Sequence, residues 1–177
     1  MAAPGPIAVT VIGTDRPGIV AAVTRALYEA GCNLEDVTST ILRGHFSMVM
    51  VVRGPDGVDA PALEKALEPA ARELELVVAA RPVEDTTVAP DQSTHVVSVY
   101  GADRPGIVFR VADALARRGA NVTDLTSRVI GPPDEPVYAL MLEISASAPD
   151  EVAAALEELR GDIGVEVSIH PIERDVL

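Results

Sequence analysis

Residues Val9–Ser39, VTVIGTDRPGIVAAVTRALYEAGCNLEDVTS, return 88 positions later as Val97–Ser127, VSVYGADRPGIVFRVADALARRGANVTDLTS, without a gap and with 17 of 31 positions identical. A self-match of this length makes the chain a tandem repeat. The identities are not all apolar. Asp15/Asp103, Arg16/Arg104, Asn33/Asn121 and Asp36/Asp124 are polar pairs that core packing alone does not require. Between the repeats, RPVEDTTVAPDQST (Arg81 to Thr94) is polar, carries two prolines and reads as a linker with a boundary near Pro90. The expected organisation is a first domain at 1–83, a linker at 84–94 and a second domain at 95–177.

Working outward from the repeat, Ile7 to Gly13 and His95 to Gly101 are short, Val-rich runs that suit buried strands. Ile19, Val20, Val23 and Leu27, and their copies Ile107, Val108, Val111, Ala112 and Leu115, recur at the spacing of one helical face. Gly31 and Gly119 follow where a left-handed cap ends a helix. NLEDVTSTILRG and NVTDLTSRVIG alternate as long strands with one face buried. A turn at Arg43-Gly44-His45, or a Pro-rich loop at Gly131 to Pro136, leads to hairpin partners FSMVMVVRG and VYALMLEISA. Helices over Ala60 to Leu74 and Pro149 to Leu159 come next, with Pro69 expected to kink or divide the first. Strands at Glu75 to Ala80 and Val165 to Ile169 close each half.

The resulting order, β-α-β-β-α-β twice, predicts an α+β chain of two ferredoxin-like domains, each a four-stranded antiparallel sheet with two helices on one face. That fold hosts many functions, so sites must decide.

Composition narrows the choice. The chain has 177 residues, 48% of them apolar and 23% charged, and a mean hydropathy of +0.25, which is enough apolar content for folded cores. No apolar run approaches the roughly 18 to 20 residues needed to cross a bilayer, and the N-terminal stretch has no basic region before its apolar part; a cytoplasmic protein is expected. One cysteine, Cys32, can form neither an internal disulfide nor a multi-thiolate metal site. A net charge of −13 opposes general attraction to nucleic-acid backbones or anionic lipid, so neither direct nucleic-acid binding nor a membrane role is expected.

In both halves the turn from first strand to first helix reads G-[TA]-D-R-P-G-I-V, Gly13 to Val20 and Gly101 to Val108. It has two physical readings. In the first, the aspartate caps the free amides of the helix, with Pro pre-set for the first turn. In the second, those amides and the helix dipole receive a ligand carboxylate, Gly18 or Gly106 gives it room, and Asp15 or Asp103 accepts its ammonium. An aspartate spent on capping would occupy the anion position itself.

The βαββαβ order, the Asp-Arg-Pro-Gly-Ile loop and the Asn following the helix-ending Gly resemble ACT domains, the small regulatory modules that sense amino acids. Two units with no catalytic domain attached resemble the glycine cleavage system transcriptional repressor group and its tandem ACT relatives. In ligand-binding ACT domains the loop side chain before Arg-Pro-Gly and the Asn opening the second strand commonly hold an amino acid across a domain interface. The resemblance implies site residues Asp15, Arg16, Pro17, Gly18, Ile19 and Asn33, then Asp103, Arg104, Pro105, Gly106, Ile107 and Asn121. The chain departs from the best-known serine-binding ACT domains, which have Asn at the Asp position and a His two residues earlier, where this chain has Gly13 and Gly101.

Other polar residues read as structural. Cys32, opposite Ala120 in the repeat, suits packing; His45, His95 and His170 lie far apart, without ligand spacing. Ser39 and Ser127 read as outward-facing strand residues, Met48, Met50 and Met141 as core filler, and Glu64, Glu68, Glu157 and Glu158 as a solvated helix face. No nucleophile with its base and no phosphate loop can be assembled, and aromatics at 3% are too few for RNA stacking. The expectation is a non-enzymatic sensor without cofactor or metal. It binds a small amino acid such as glycine or serine, modulates a protein partner and forms a homo-oligomer, a dimer first. The competing expectation is an oligomerisation module without a working ligand site.

Overall fold

The computed structural model describes residues 5–84 and 92–172. Each half forms its own unit, Met1–Thr87 and Val88–Leu177. The first unit runs β1 (Ile7–Thr14), α1 (Ile19–Glu29), β2 (Asn33–Leu42), β3 (His45–Arg53), α2 (Ala60–Leu74) and β4 (Val77–Pro82). The second repeats it as β5 (His95–Ala102), α3 (Ile107–Ala116), β6 (Asn121–Ile130), β7 (Val137–Ser145), α4 (Pro149–Ile163) and β8 (Glu166–Pro171). The sheets are antiparallel, in the orders β2-β3-β1-β4 and β6-β7-β5-β8.

The period-2 alternation sends Ile7, Val9 and Val11 of β1 and Phe46, Met48, Met50 and Val52 of β3 to one face, where Ile19, Val23 and Leu27 of α1 and Leu63 and Leu67 of α2 close over them. Val97, Val99, Leu140, Leu142 and Ile144 meet Ile107, Val111, Leu115, Val152 and Leu156 in the same way. Burying each of these large side chains contributes about 1.5–3 kcal/mol, which offsets the cost of ordering them.

The helix ends follow their sequence. Gly31 (φ 72°) turns the chain left-handed, its N–H donating to the Tyr28 carbonyl while Cys32 N–H donates to Leu27, a complete Schellman cap; Gly119 and Ala120 do the same to Ala116 and Leu115. Arg43 (φ 50°) and Gly44 (φ 80°) make the two-residue turn between Leu42 and His45, as positive φ at both positions requires.

Several expectations are corrected. β2 has no buried face: it is an edge strand, and Val37, Ile41 and Leu42 are exposed because the core draws its sheet residues from β1 and β3. Pro69 does not divide α2, which continues to Leu74. The closing strand starts at Val77, not Glu75, because Glu75 (φ 54°) caps α2 in a left-handed conformation. Helix α4 extends four residues beyond Leu159, to Ile163. Met141 lies on the open face opposite Ser98 and Thr126 and is half-exposed, unlike the buried Met48 and Met50.

Ser39 and Ser127 are solvent-exposed, as expected of them, although their ladder partners Met48 and Leu140 are buried. Glu64 is more than a solvated charge, since its Oε1 accepts the Ala80 N–H at 2.8 Å and occupies a donor on edge strand β4. Of the stretch read as a linker, Arg81 and Pro82 complete β4, and Thr94 N–H donates to the Ile144 carbonyl at 2.7 Å. Residues 85–91, including Pro90, lie outside the described residues.

Candidate functional site

Strand β1 ends at Thr14 and α1 begins at Ile19, so the repeated loop spans Asp15 to Gly18. Gly18 is the N-cap, with φ 97°, and no side chain caps the helix; Gly106, with φ 92°, does the same for α3. A Cβ at either glycine would meet nothing within 4 Å, so the glycine is required by its backbone conformation and not by crowding. Pro17 and Pro105 stand before the caps and not inside the helices.

The capping reading of Asp15 and Asp103 is therefore not what the geometry holds. Both side chains are exposed, and neither carboxylate takes a hydrogen bond among the described residues. The first-turn amides are left without a side-chain acceptor, which is the arrangement that attracts an anion. Asp15 is instead held by its backbone: its N–H donates to the Gly44 carbonyl at 2.8 Å, tying the loop to the β2–β3 turn.

In the first unit, Asp15, Arg16, Pro17, Gly18 and Ile19 line one cavity of about 660 Å³ together with Val20, Ala21, Ser39, Thr40, Ile41 and Phe46. In the second, Arg104, Pro105, Gly106 and Ile107 line a cavity of about 290 Å³ with Arg110, Asp162 and Ile163; Asp103 is outside that lining. Ser39, Thr40, Ile41 and Phe46 were not among the expected site residues. The register of β2 against β3 carries that information, since Ile41 pairs with Phe46 beside the turn that Asp15 contacts.

Asn33 and Asn121 are not brought to their loops. Asn33 pairs with Arg53 at one end of the β2–β3 ladder, and Leu42 pairs with His45 at the other. The eight residue steps from His45 to Arg53 place Asn33 about 26 Å from the Asp15 end, at about 3.3 Å per residue. Asn121, opposite Ser145, stands equally far from Ala102 and Val137, where the Asp103 loop begins. One domain therefore cannot present its aspartate and its asparagine to the same small ligand.

The glycine two residues ahead of each aspartate has a steric cause. A Cβ on Gly13 would come within 2.6 Å of Leu76 Cδ2 and 3.3 Å of the Glu75 carbonyl oxygen; on Gly101 it would lie 2.8 Å from Val165 Cγ1 and 3.2 Å from its Cβ. A side chain at this position needs Leu76 in the first unit, or Val165 in the second, to give way.

Among the described residues no group of three or more His, Cys, Asp or Glu side chains could hold a metal ion, and no helix is long and apolar enough to cross a membrane. Burial pushes the half-buried Cys32 thiol above its ordinary pKa, away from the thiolate.

Comparison with known proteins agrees with this architecture. ACT domains match at residues 6–81 and again at 95–161. The glycine cleavage system transcriptional repressor of Escherichia coli is 28% identical over 149 residues, covering 84% of this chain and 78% of that protein. The phosphoserine phosphatase SerB2 of Mycobacterium tuberculosis is 31% identical over 143 residues, covering 78% of this chain but only 34% of that enzyme. The crystal structure of an unknown protein from Galdieria sulphuraria superposes with a TM-score of 0.78 over 96% of this chain and 99% of that one, at 26% identity. With the fold built twice and both copies matched, the chain belongs to the ACT-domain family, as a tandem pair of ACT domains resembling the glycine cleavage system transcriptional repressor.

Proposed function

We propose that this chain is a non-enzymatic amino-acid sensor that binds a small amino acid, glycine or serine or one of similar size, at its Asp-Arg-Pro-Gly loops and thereby modulates a partner enzyme or transcriptional regulator. The observation that carries this reading is the uncapped helix start behind Gly18 and again behind Gly106, each opening on a cavity, with Asp15 in the first lining, Asp103 next in sequence to the second, and neither carboxylate hydrogen-bonded among the described residues. The helix amides suit a carboxylate and the aspartate suits an ammonium, the two groups common to all α-amino acids. The likeness to a transcriptional repressor over most of both chains supports a regulatory role.

Asn33 and Asn121 enter this reading only as contributions from a different copy of the fold than the loop they assist, because of their separation along the ladder. Ligand binding then favours one arrangement of domains over others, which is the condition for a regulatory response. A homodimer is the expected assembly.

The test is calorimetric and NMR titration of the full chain with glycine, serine, threonine and the branched-chain amino acids at millimolar concentration. Heat and chemical-shift changes at Gly18 or Gly106 that disappear in the double variant Asp15→Ala, Asp103→Ala are expected. Silence across the panel rejects the reading.

One observation favours a second reading, an oligomerisation module without a ligand site: the edge strand β2 leaves Val37, Ile41 and Leu42 exposed and ready to pair. Unchanged partner association in the double variant, together with no amino-acid response, would support it.

A further inference from the structure

The two loops share a sequence but not an electrostatic setting. In the first unit Arg16 Nη2 lies 2.8 Å from Glu75 Oε2, so its guanidinium is already paired with a carboxylate. Glu75 is the left-handed cap of α2, and the matching cap of α4 is Gly164. Arg104 reaches the corresponding place, its Nη1 3.9 Å from where a Gly164 Cβ would stand, but no carboxylate is attached there. Among the described residues Arg104 makes no ion pair or hydrogen bond.

A second difference points the same way. The second-unit cavity of about 290 Å³ is lined by two guanidinium groups, Arg104 and Arg110, against one carboxylate, Asp162. The corresponding cavity of the first unit, about 340 Å³, has Ala22 in the place of Arg110, and its charged residues are Arg25 and Glu73, one of each sign; Arg16 is not in its lining. Of these two linings, the one in the second unit carries a surplus of one positive charge and the one in the first unit none; Asp103 and Asp15 lie outside both.

We infer that the two loops are unequal carboxylate seats: Arg104, with Arg110 beside it, receives a ligand carboxylate in the second unit, and Glu75 competes for Arg16 in the first. Glu75 and Gly164 are then the residues that set this difference. The inference rests on the reading of the loops as carboxylate-binding sites, and it adds an order of occupancy, second loop before first. Exposed ion pairs are worth little, so the difference is modest, about two- to five-fold in the midpoint of binding.

The test uses sodium acetate, exchanged against chloride at constant ionic strength, with the Gly18 and Gly106 amides of the full chain followed by NMR. Gly106 is expected to reach half of its shift at a concentration about two- to five-fold lower than Gly18. Glu75→Gln is expected to lower the Gly18 midpoint by a similar factor and to leave Gly106 unchanged; Arg104→Gln is expected to raise the Gly106 midpoint. The Glu75 side chain is 78% exposed, so its replacement leaves the core untouched. Equal midpoints, a Gly18 midpoint indifferent to Glu75→Gln, or no acetate response at either loop would each overturn the inference. An acetate order of this kind without any amino-acid response would instead overturn amino-acid sensing and leave the inequality standing.

Discussion

Asp15 donates its backbone N–H to the carbonyl of Gly44 across 2.8 Å, so the position of the candidate ligand loop is set by a hairpin turn nearly thirty residues downstream. Asp103 has no such bond among the described residues, because β6 and β7 are joined by the longer Gly131–Pro136 loop in place of a two-residue turn. Gly44, at φ 80°, is therefore a remote determinant of where the first loop sits. Gly44→Ala is expected to destabilise the chain by about 1–2 kcal/mol through left-handed strain. It should also speed hydrogen exchange at the Asp15 amide, with urea unfolding and NMR as the two readouts.

Gly13 and Gly101 occupy equivalent positions, but their surroundings yield differently. The closest obstacle to a Cβ at Gly13 is the end of the Leu76 side chain, which can rotate; at Gly101 it is the branched and stiff Val165, with its backbone close behind. Gly101→Ala should cost about 1–3 kcal/mol as an overpacking change and Gly13→Ala less, measured by denaturant midpoints at constant m-value.

The start of α2 is capped by the Asp59 side chain, which accepts the Ala62 N–H at 2.9 Å; Pro61, lacking an N–H, leaves Ala62 as the next donor. Asp59→Ala is expected to destabilise the first unit by about 1 kcal/mol, while Asp59→Asn should retain most of the stability. Thermal unfolding of both variants beside the parent checks this.

Cys32 packs at the margin of the first core, and burial disfavours its ionised form. Because the thiolate is the nucleophile, the fraction able to react at pH 8 is smaller than for a free thiol. Alkylation by iodoacetamide is expected to run slower than that of glutathione, and to recover in urea. A reaction as fast in the folded chain as in urea would contradict the burial of this side chain.

Most of the fold was legible because its signals are local and occur twice. The alternation in IAVTVIG, the helical face of Ile19, Val23 and Leu27, and the glycines at 31 and 119 each carry their own physical cause, and the second copy repeats it. What failed to read through depends on lateral position in the sheet. Nothing local to NLEDVTSTIL says that it lies at an edge, so its apolar residues looked like core. Met141 was misassigned because a one-residue change in phase decides the face: it sits between the buried Leu140 and Leu142 on β7 and so points to the opposite side.

The geometry of the candidate site was legible only in part. The aspartate loops and their glycines were found by repetition. Glu75 was missed because it reads as the first residue of a β-prone run, ELVVAA, and only its left-handed backbone makes it a helix cap within reach of Arg16. The separation of Asn33 from Asp15 was hidden for a different reason: eighteen residues of sequence say little about distance until the intervening helix α1 is known to carry the chain to the far end of the ladder, where β2 begins.

The bare edge of β2 has a colloidal consequence. An edge strand with exposed Val37, Ile41 and Leu42 invites a second molecule, yet each molecule carries a net charge of −13. At low salt that charge repels other copies over tens of ångströms, whereas at physiological ionic strength its reach shrinks to about 8 Å and short-range strand contacts take over. Association through this edge should therefore strengthen on adding salt, the reverse of a complex held by ion pairs, and light scattering across a sodium chloride series would display that dependence.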